Sequence, residues 1–147
     1  MVNMKGKKIR QKGKVVFTNG TFDLLHPGHI KVLKFAKSLG DKLIVGINSD
    51  KTIKILKCKD RPVNNQADRK IILESLRFVD KVVIFNELRT GDVVKKIKPD
   101  VVVKGYEGYT PDQVRKIDGL PEDIEIKFCP HLGNYSTTNI IKKTRYH

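Results

Sequence analysis

The sequence predicts an α/β fold in which a doubly wound sheet of about five parallel strands carries helices on both faces. Short, almost wholly apolar runs alternate with segments of helical periodicity, and strands buried on both faces of a parallel sheet have this composition. Glycine and polar residues gather after the ends of those runs, where such sheets bind ligands. The 147 residues suit one domain, which we expect to span 1–147.

The first half of the chain alternates between strand and helix. KVVFT at 14–18 is rich in β-branched and aromatic residues and predicts a buried strand. Apolar residues recur at helical spacing through 28–39, which predicts a helix, and KLIVGIN at 42–48 predicts a second buried strand. We predict a loop over 49–65, because Pro62 disfavours a continuous helix there.

The second half continues this alternation. Helices and strands are predicted in turn at 67–79, 81–85, 90–98, 100–104, 111–117, 124–128 and 136–145. In the first of these helices, the spacing directs inward the side chains of Ile71, Ile72, Ser75, Leu76 and Val79. Pro99 stops one helix, Pro111 opens the next, and Ser and Thr residues begin the last. Right-handed crossovers then give a Rossmann-like, doubly wound topology.

The chain carries a formal net charge of +14, from 30 Lys and Arg against 16 Asp and Glu. Such an excess favours an anionic partner, either a nucleic acid or a small polyphosphate, although a general bias toward lysine would give the same charge. The lysines are scattered over every helix and loop, and aromatic residues make up only 7% with no stacking pattern. These features disfavour nucleic acid as the partner.

Cysteine usage and hydropathy favour a cytoplasmic location. Cys58 and Cys129 fit neither a disulfide framework nor a zinc-binding spacing, so we expect reduced thiols. No apolar run approaches the roughly 18 residues of a membrane span. Residues 1–14 are too polar for the core of a signal peptide. We therefore expect a soluble cytoplasmic protein with no membrane partner.

Two histidines, His26 and His29, stand where the first strand leads into the first helix, in FTNGTFDLLHPGHI at 17–30. Pro27 keeps His26 out of the helix, so both imidazoles lie near the unpaired N–H groups of the helix N-terminus. That is a natural anion site, and Gly28 leaves room for a ligand to approach the backbone. An imidazole there could carry a proton toward a phosphate or, when charged, stabilise a pentacovalent phosphorus. Metal binding and a structural role are the alternatives, and the sequence offers no further metal ligands at an evident spacing.

FTNGTFDLLHPGH resembles the HxGH signature of the nucleotidyltransferase (cytidylyltransferase-like) superfamily, whose members attach a nucleoside monophosphate to a phosphorylated acceptor. The likeness continues in order through KSLGDKLIVGINSD, LKCKDRPVNNQADR, LRFVDKVVIF, IKPDVVVKG and STTNIIKK. Together these segments are most similar to the D-glycero-β-D-manno-heptose 1-phosphate adenylyltransferases. The resemblance implies transfer of AMP from ATP to a sugar 1-phosphate, D-glycero-D-manno-heptose 1-phosphate, with release of pyrophosphate. Glycerol-3-phosphate cytidylyltransferase or another HxGH enzyme is the nearer alternative, and a basic nucleic-acid-binding module is the distant one.

The resemblance also implies roles for matched residues. A catalytic role is implied for His26, His29 and Lys57. Nucleotide binding is implied for Thr21, Phe22, Gly28, Arg61, Arg69, Ser136, Thr137 and Thr138. Acceptor binding is implied for Asn48, Asp50, Lys104, Gly105, Tyr106 and Glu107. Structural alternatives stay open: a solvated surface role for either arginine, N-capping for one of the hydroxyls, and capping for Asp50.

Cofactor, assembly and nucleotide choice also follow from the resemblance. Mg²⁺ is expected to travel mainly on the nucleotide phosphates, so no protein metal ligand is assigned, and a homodimer is implied. Two departures concern the substrates: KGYEGY at 104–109 replaces the KGGDY usual in heptose enzymes, and NGTFD has the Thr typical of glycerol-3-phosphate cytidylyltransferases. The Arg-Thr-Glu-Gly lead of those cytidylyltransferases is replaced by HLGNY at 131–135. The balance favours ATP over CTP.

Overall fold

A computed structural model of the protein describes residues 13–105, 108–130 and 136–145. The strands are β1 (Val15–Gly20), β2 (Lys42–Asn48), β3 (Lys81–Phe85), β4 (Val101–Lys104) and β5 (Glu125–Phe128). The helices are α1 (Pro27–Ser38), α2 (Asp50–Leu56), α3 (Gln66–Glu74), α4 (Thr90–Ile97), α5 (Pro111–Asp118) and α6 (Thr137–Arg145). In these described ranges, no helix combines the length and the apolar character needed to span a membrane.

The strands form one parallel sheet in the order β3-β2-β1-β4-β5. The chain runs outward from β1 to β3 on one side and then crosses to β4 and β5 on the other. The winding direction therefore reverses between β1 and β4, where Val16 lies beside Val101 and Thr18 beside Val103. This arrangement confirms the predicted doubly wound α/β class. Its ligand crevice is expected beyond the carboxyl ends of β1 and β4.

The two faces of the sheet bury separate apolar clusters, because successive strand residues face opposite sides. Val16 lies in one cluster with Leu33 of α1. The next residue, Phe17, lies in the other cluster with Val94 of α4 and Val114 of α5. Each of these side chains is fully buried, which contributes about 1.5–3 kcal/mol apiece. Helices α1 and α4 are thereby fixed on opposite sides of the crevice.

Helix α2 occupies the first part of the segment 49–65, so the prediction of a loop there is wrong in that part. Ser49 caps the helix, and its Oγ accepts the backbone N–H of Thr52 at 3.3 Å. Ile53 anchors the helix with 1% exposure. Pro62 does not prevent this helix because it lies well beyond its C-terminus.

Helix α3 differs from the helix predicted over 67–79, because it ends at Glu74. Beyond it, Val79 is buried and Leu76 packs against the core as predicted, whereas Ser75 is exposed. Arg69 and Leu73 are fully buried, whereas Ile71 and Ile72 are 62% and 40% exposed. Hydrophobic periodicity misses this face because the buried residue one turn before Leu73 is an arginine. Its burial depends on hydrogen-bond partners that the sequence does not reveal.

Candidate active site

Two histidines cap each other at the N-terminus of α1. His26 is the N-cap, with an extended backbone (φ −142°, ψ 170°), and Pro27 and the buried Gly28 begin the helix. The backbone N–H of His29 donates to His26 Nδ1 at 3.4 Å, and that of His26 donates to His29 Nδ1 at 3.3 Å. The two rings stack with centroids 3.7 Å apart. This reciprocal cap fixes both imidazoles at the carboxyl edge of the sheet.

The same hydrogen bonds decide where each imidazole carries its proton. An Nδ1 atom that accepts a backbone N–H has no proton of its own, so the neutral ring carries hydrogen on Nε2. Burial, with a smaller contribution from nearby His26, lowers the pKa of His29 to about 4, and burial also lowers the pKa of His26. At neutral pH His29 is therefore a neutral Nε2–H donor, and the environment pushes His26 the same way. The charged form considered from the sequence is disfavoured.

Phe22 supports the histidine pair from the β1–α1 loop. Its backbone is in the left-handed region, with φ 47°, and the residue is 4% exposed. The centroid of its ring lies 5.0 Å from that of His29, with the planes tilted by 47°. Because the Phe22 ring is used in packing, the predicted nucleotide contact falls to the backbone of Thr21 and Phe22.

Asp23 ties the segment after α2 to the β1–α1 loop, a role that sequence reasoning missed. Its buried carboxylate accepts the backbone N–H groups of Val63 at 2.7 Å and Asn64 at 2.8 Å. Arg61 donates its Nε to the same carboxylate at 3.3 Å, and the Asn64 amide donates to the Asp23 carbonyl at 3.1 Å. These bonds compensate a buried charge that would otherwise be costly. They also bring Arg61 beside the loop that leads to the histidines.

Arg69 is completely buried and joins the ends of three segments. Its Nη1 donates to the carbonyls of Thr21 and Asn48, both at 2.8 Å. Its Nε donates to the carbonyl of Asn64 at 3.0 Å, and its Nη2 lies 2.8 Å from Asp50 Oδ1. A side chain with 0% exposure presents no surface to a phosphate in this structure. This burial excludes the solvated surface role considered from the sequence, and the contacts favour a role in holding the three segments together over the predicted phosphate clamp.

Asn48 and Asp50, which are predicted to hold the acceptor, lie at the end of β2. Asn48 is buried at 8% exposure. The backbone N–H of Asp50 donates to Gln66 Oε1 at 3.0 Å, and the Asp50 side chain stays 29% exposed despite its ion pair with Arg69. Ser49 is the N-cap of α2, so capping does not account for Asp50. The Asp50 carboxylate thus remains partly open within the unit that Arg69 assembles.

The start of α6 contacts the β1–α1 loop. Thr137 is buried, and its Oγ1 donates to the carbonyl of Leu24 at 3.2 Å. The Oγ of Ser136 accepts the backbone N–H of Asn139 at 2.9 Å and so caps the helix. Thr138 is exposed. Two of the three hydroxyls have structural partners, which leaves Thr138 and the helix N-terminus for the predicted phosphate contact.

The other predicted residues take different positions along this edge. Lys57 is exposed at the C-cap of α2. Lys104 is 3% exposed at the end of β4, and the half-buried Gly105 follows it. Outside the described residues lie Tyr106, Glu107 and 131–135.

The described part of the chain places no cluster of three or more His, Cys, Asp or Glu side chains where it could hold a metal ion. The two imidazole Nδ1 atoms accept backbone hydrogen bonds, and the Asp23 carboxylate is enclosed by N–H donors. These donor atoms do not fit a metal site held by the protein. We therefore assign no metal ligand among the described residues.

A family model described as cytidylyltransferase-like matches residues 17–143. Among curated proteins, the chain is 46% identical over 147 residues to the bifunctional protein HldE of Campylobacter concisus. It is 47% identical over 139 residues to the bifunctional protein HldE of Campylobacter fetus subsp. fetus. These matches cover 99% and 94% of this chain but only 29% and 30% of the relatives. The chain thus spans less than a third of the length of either relative.

A solved structure shares most of this fold. The lipopolysaccharide core biosynthesis protein from Thermoplasma volcanium superposes with a TM-score of 0.69 at 26% sequence identity. The match covers 85% of this chain and 100% of that chain. The family model and the solved structure therefore both match most of the chain.

Proposed function

This chain belongs to the cytidylyltransferase-like family of nucleotidyltransferases, and on that premise we propose that it transfers AMP from ATP to D-glycero-D-manno-heptose 1-phosphate and releases pyrophosphate. The observation that carries this proposal is the reciprocal histidine cap at the N-terminus of α1. It combines two imidazole donors with the positive end of a helix at the edge where an anionic ligand is expected. The heptose acceptor rests on the motif resemblance, and the similarity to a lipopolysaccharide core biosynthesis protein supports it.

The proposed reaction is one direct displacement. An oxygen of the acceptor phosphate attacks the α-phosphorus of ATP and forms a new P–O bond. The bond from the α-phosphorus to the bridging oxygen breaks, and pyrophosphate leaves with the electron pair. The Nε2–H donors of His26 and His29 stabilise the charge that develops on the phosphoryl oxygens. Such chemistry depends on positioning and charge neutralisation more than on a strong base, so no general base is assigned.

Positive charge around the triphosphate is proposed to come from the periphery. Lys57 is exposed and carries a flexible side chain that can act as a mobile point charge. Arg61 bonds the Asp23 carboxylate through Nε, and its terminal nitrogens are proposed to bind a phosphate of the nucleotide. Mg²⁺ enters as part of the substrate, on the phosphates, and retains several waters.

A panel of nucleotides and acceptors tests the proposal. Pyrophosphate release is measured with ATP, CTP, GTP and UTP, each against heptose 1-phosphate, glycerol 3-phosphate and other phosphorylated acceptors. We expect turnover with ATP and heptose 1-phosphate, and a loss of about 100-fold or more in His29→Ala, since a preorganised donor is removed. No turnover with any pair would contradict the proposed activity.

Transfer of CMP from CTP to glycerol 3-phosphate is the second candidate. The description of the matching family and the Thr of NGTFD favour it. Turnover with CTP and glycerol 3-phosphate, but not with ATP, would replace the first proposal by this one.

We also propose that the enzyme acts as a homodimer without a nucleic-acid partner. The +14 charge keeps nucleic-acid binding as the distant alternative. That alternative requires tight binding to duplex or single-stranded nucleic acid with a steep dependence on salt. Fluorescence anisotropy with labelled oligonucleotides from low to physiological salt measures this, and we expect only weak binding that is lost at physiological salt.

A further inference from the structure

A buried ion pair lies at the switch point, on the side of the sheet away from α1. Lys104 is the last residue of β4, and its Nζ lies 2.8 Å from Asp118 Oδ2 and 2.7 Å from Asn19 Oδ1. Asp118 is the last residue of α5, and its side chain is 12% exposed. Asn19 donates its amide to Thr90 Oγ1 at 3.2 Å, at the first residue of α4. These contacts join β1, β4, α4 and α5.

Strand alternation explains why these side chains meet. Phe17 of β1 and Val102 of β4 lie in the apolar cluster beneath α4 and α5. Two residues further along each strand, Asn19 and Lys104 face the same side. They therefore lie just beyond that cluster, at the edge of the sheet where ligands are expected.

Backbone packing holds Asp118 in place independently of Lys104. A Cβ atom at Gly91, in the first turn of α4, would lie 2.1 Å from the carbonyl oxygen of Gly119 and 2.6 Å from that of Asp118. Gly119 ends α5 in the left-handed conformation, with φ 68°. The backbone at the end of α5 thus packs directly against the backbone at the start of α4. This contact holds the backbone of Asp118, and therefore the origin of its side chain, in place.

Stability is a weak explanation for such a pair. Desolvation of two buried charges offsets most of their attraction, and apolar replacements of similar volume are often no less stable. The position of the pair is more informative. Lys104 immediately precedes the half-buried Gly105 and the predicted acceptor loop, and Asn19 lies two residues before Thr21 in the predicted nucleotide loop.

We propose that Asp118 is a positioning residue for the transfer reaction. It holds the Lys104 ammonium against Asn19 and thereby fixes the ends of β1 and β4, which carry the two substrate loops, at the spacing that in-line attack requires. The inference rests on the proposed function and deepens it. In this proposal Lys104 does not make the acceptor contact predicted from the sequence; instead it positions the end of β4, from which the predicted acceptor loop continues.

The groups around the Lys104 ammonium determine its pKa, so its protonation can be tested by varying the pH. Burial lowers the pKa of Lys104, and the Asp118 carboxylate opposes that effect. The neighbours from β1 and α4 are the uncharged Asn19 and Thr90, and Phe128 of β5 pairs beside Lys104. Ahead of α4, the guanidinium of Arg89 lies against Gly119 and donates to the carbonyl of Lys116 at 3.4 Å.

The test compares Asp118→Asn with Asp112→Asn, which alters an exposed carboxylate of the same helix. For each protein, kcat and both KM values are measured from pH 6 to 10. We expect Asp118→Asn to lower kcat at least tenfold, to change either KM less than threefold, and to move the alkaline limb of kcat to lower pH. Loss in KM alone, or an unmoved alkaline limb, would overturn the proposal.

A charge-free pair separates positioning from stability. The double variant Lys104→Met with Asp118→Leu should keep the urea midpoint of the wild type and still lose at least tenfold in kcat. Wild-type kcat in this variant would show that the pair only fills space, which overturns the proposal. If Asp118→Asn does not fold, Asn19→Ser carries the same test, because it shortens the reach to Lys104; an unchanged kcat there would also overturn it.

The wild-type activity separates failure of this inference from failure of the proposed function. A wild-type kcat in Asp118→Asn, beside an active wild-type protein, would overturn the inference and leave the proposed function standing. A wild-type protein that turns over no substrate pair would overturn the proposed function and, with it, this inference.

Discussion

Replacement of Arg69 tests whether a buried guanidinium organises the site. The residue is 0% exposed and bonds three backbone carbonyls and the Asp50 carboxylate. Arg69→Met keeps most of the apolar stem and removes every donor. Arg69→Lys keeps the charge but replaces a planar fork by a point charge that cannot reach all of these acceptors at once.

The magnitude follows from what is left without partners. A buried carbonyl that loses its donor costs about 1–3 kcal/mol, which applies in full to Asn48 and less to the part-buried bonds of Thr21 and Asn64, so we expect about 2–5 kcal/mol for the three together. Asp50 adds little, because its side chain is 29% exposed and can be hydrated. Total stability of a domain is about 5–15 kcal/mol, so Arg69→Met should remove a large share of it. Arg69→Lys should lose about 1–3 kcal/mol.

Urea unfolding at pH 7 with linear extrapolation measures these differences. Arg77→Met is the matched control, because Arg77 is exposed just after α3 and its loss should change the free energy of unfolding by less than about 0.5 kcal/mol. The reasoning would be refuted if Arg69→Met were as stable as this control while its KM for ATP rose tenfold. That combination would mean that the guanidinium binds a phosphate, as the resemblance implies.

Three further predictions concern the histidine pair, the Asp23 contacts and assembly. The pKa of His29 is lowered from 6.5 to about 4, so the unfolded chain takes up a proton before the folded chain as the pH falls. Between pH 6.5 and 4, the free energy of unfolding of the wild type should therefore drop by about 2–3 kcal/mol relative to that of His29→Gln, as measured by urea unfolding. Parallel pH profiles for the two proteins would contradict this. The Asp23 carboxylate accepts two backbone N–H groups, and the amide of Asp23→Asn can accept only one of them. We expect this variant to lose about 2–3 kcal/mol in the free energy of unfolding and to have a higher KM for the nucleotide. An unchanged urea midpoint would count against this prediction. Helix α3 exposes two adjacent isoleucines, Ile71 at 62% and Ile72 at 40%, so we expect it to lie in the interface of the predicted dimer. Ile71→Lys should then give a monomer in size exclusion with light scattering, whereas Ile117→Lys, at a 58% exposed position of α5, should not. A monomeric wild-type protein would contradict the predicted dimer.

The parallel sheet was predictable because its signals are local. The apolar runs predicted at 42–48 and 81–85 coincide with β2 and β3. A strand buried on both faces needs only its own composition to be seen, and the turn residues around it set its ends. Helix α2 was missed because its burial is concentrated in Thr52 and Ile53, too few residues to give a visible period.

The residues that organise the site were harder to predict than the histidines. His26 and His29 lie three residues apart around a proline and a glycine, so their neighbourhood can be reasoned from the sequence alone. Arg69 bonds the carbonyl of Thr21 from 48 positions away, and Asp23 accepts the N–H of Val63 from 40 positions away. Most of their partners are backbone groups, which every residue carries, so no sequence pattern marks these contacts.

Within the described ranges, three ion pairs along the carboxyl edge of the sheet join segments that are distant in sequence: Asp23 with Arg61, Asp50 with Arg69, and Lys104 with Asp118. Each pair is close to neutral as a unit, so these charges contribute shape more than electrostatic potential. The neutral form favoured for the histidines acts in the same way, as hydrogen-bond donors with fixed direction. In the proposed reaction, attraction of the triphosphate would then come from the helix N-termini, from the terminal nitrogens of Arg61 and from exposed cations such as Lys57, which salt can screen. For the proposed reaction we therefore expect rate and affinity to depend on different parts of the molecule: the inner edge would align the reacting atoms, and the exposed lysines would attract the nucleotide.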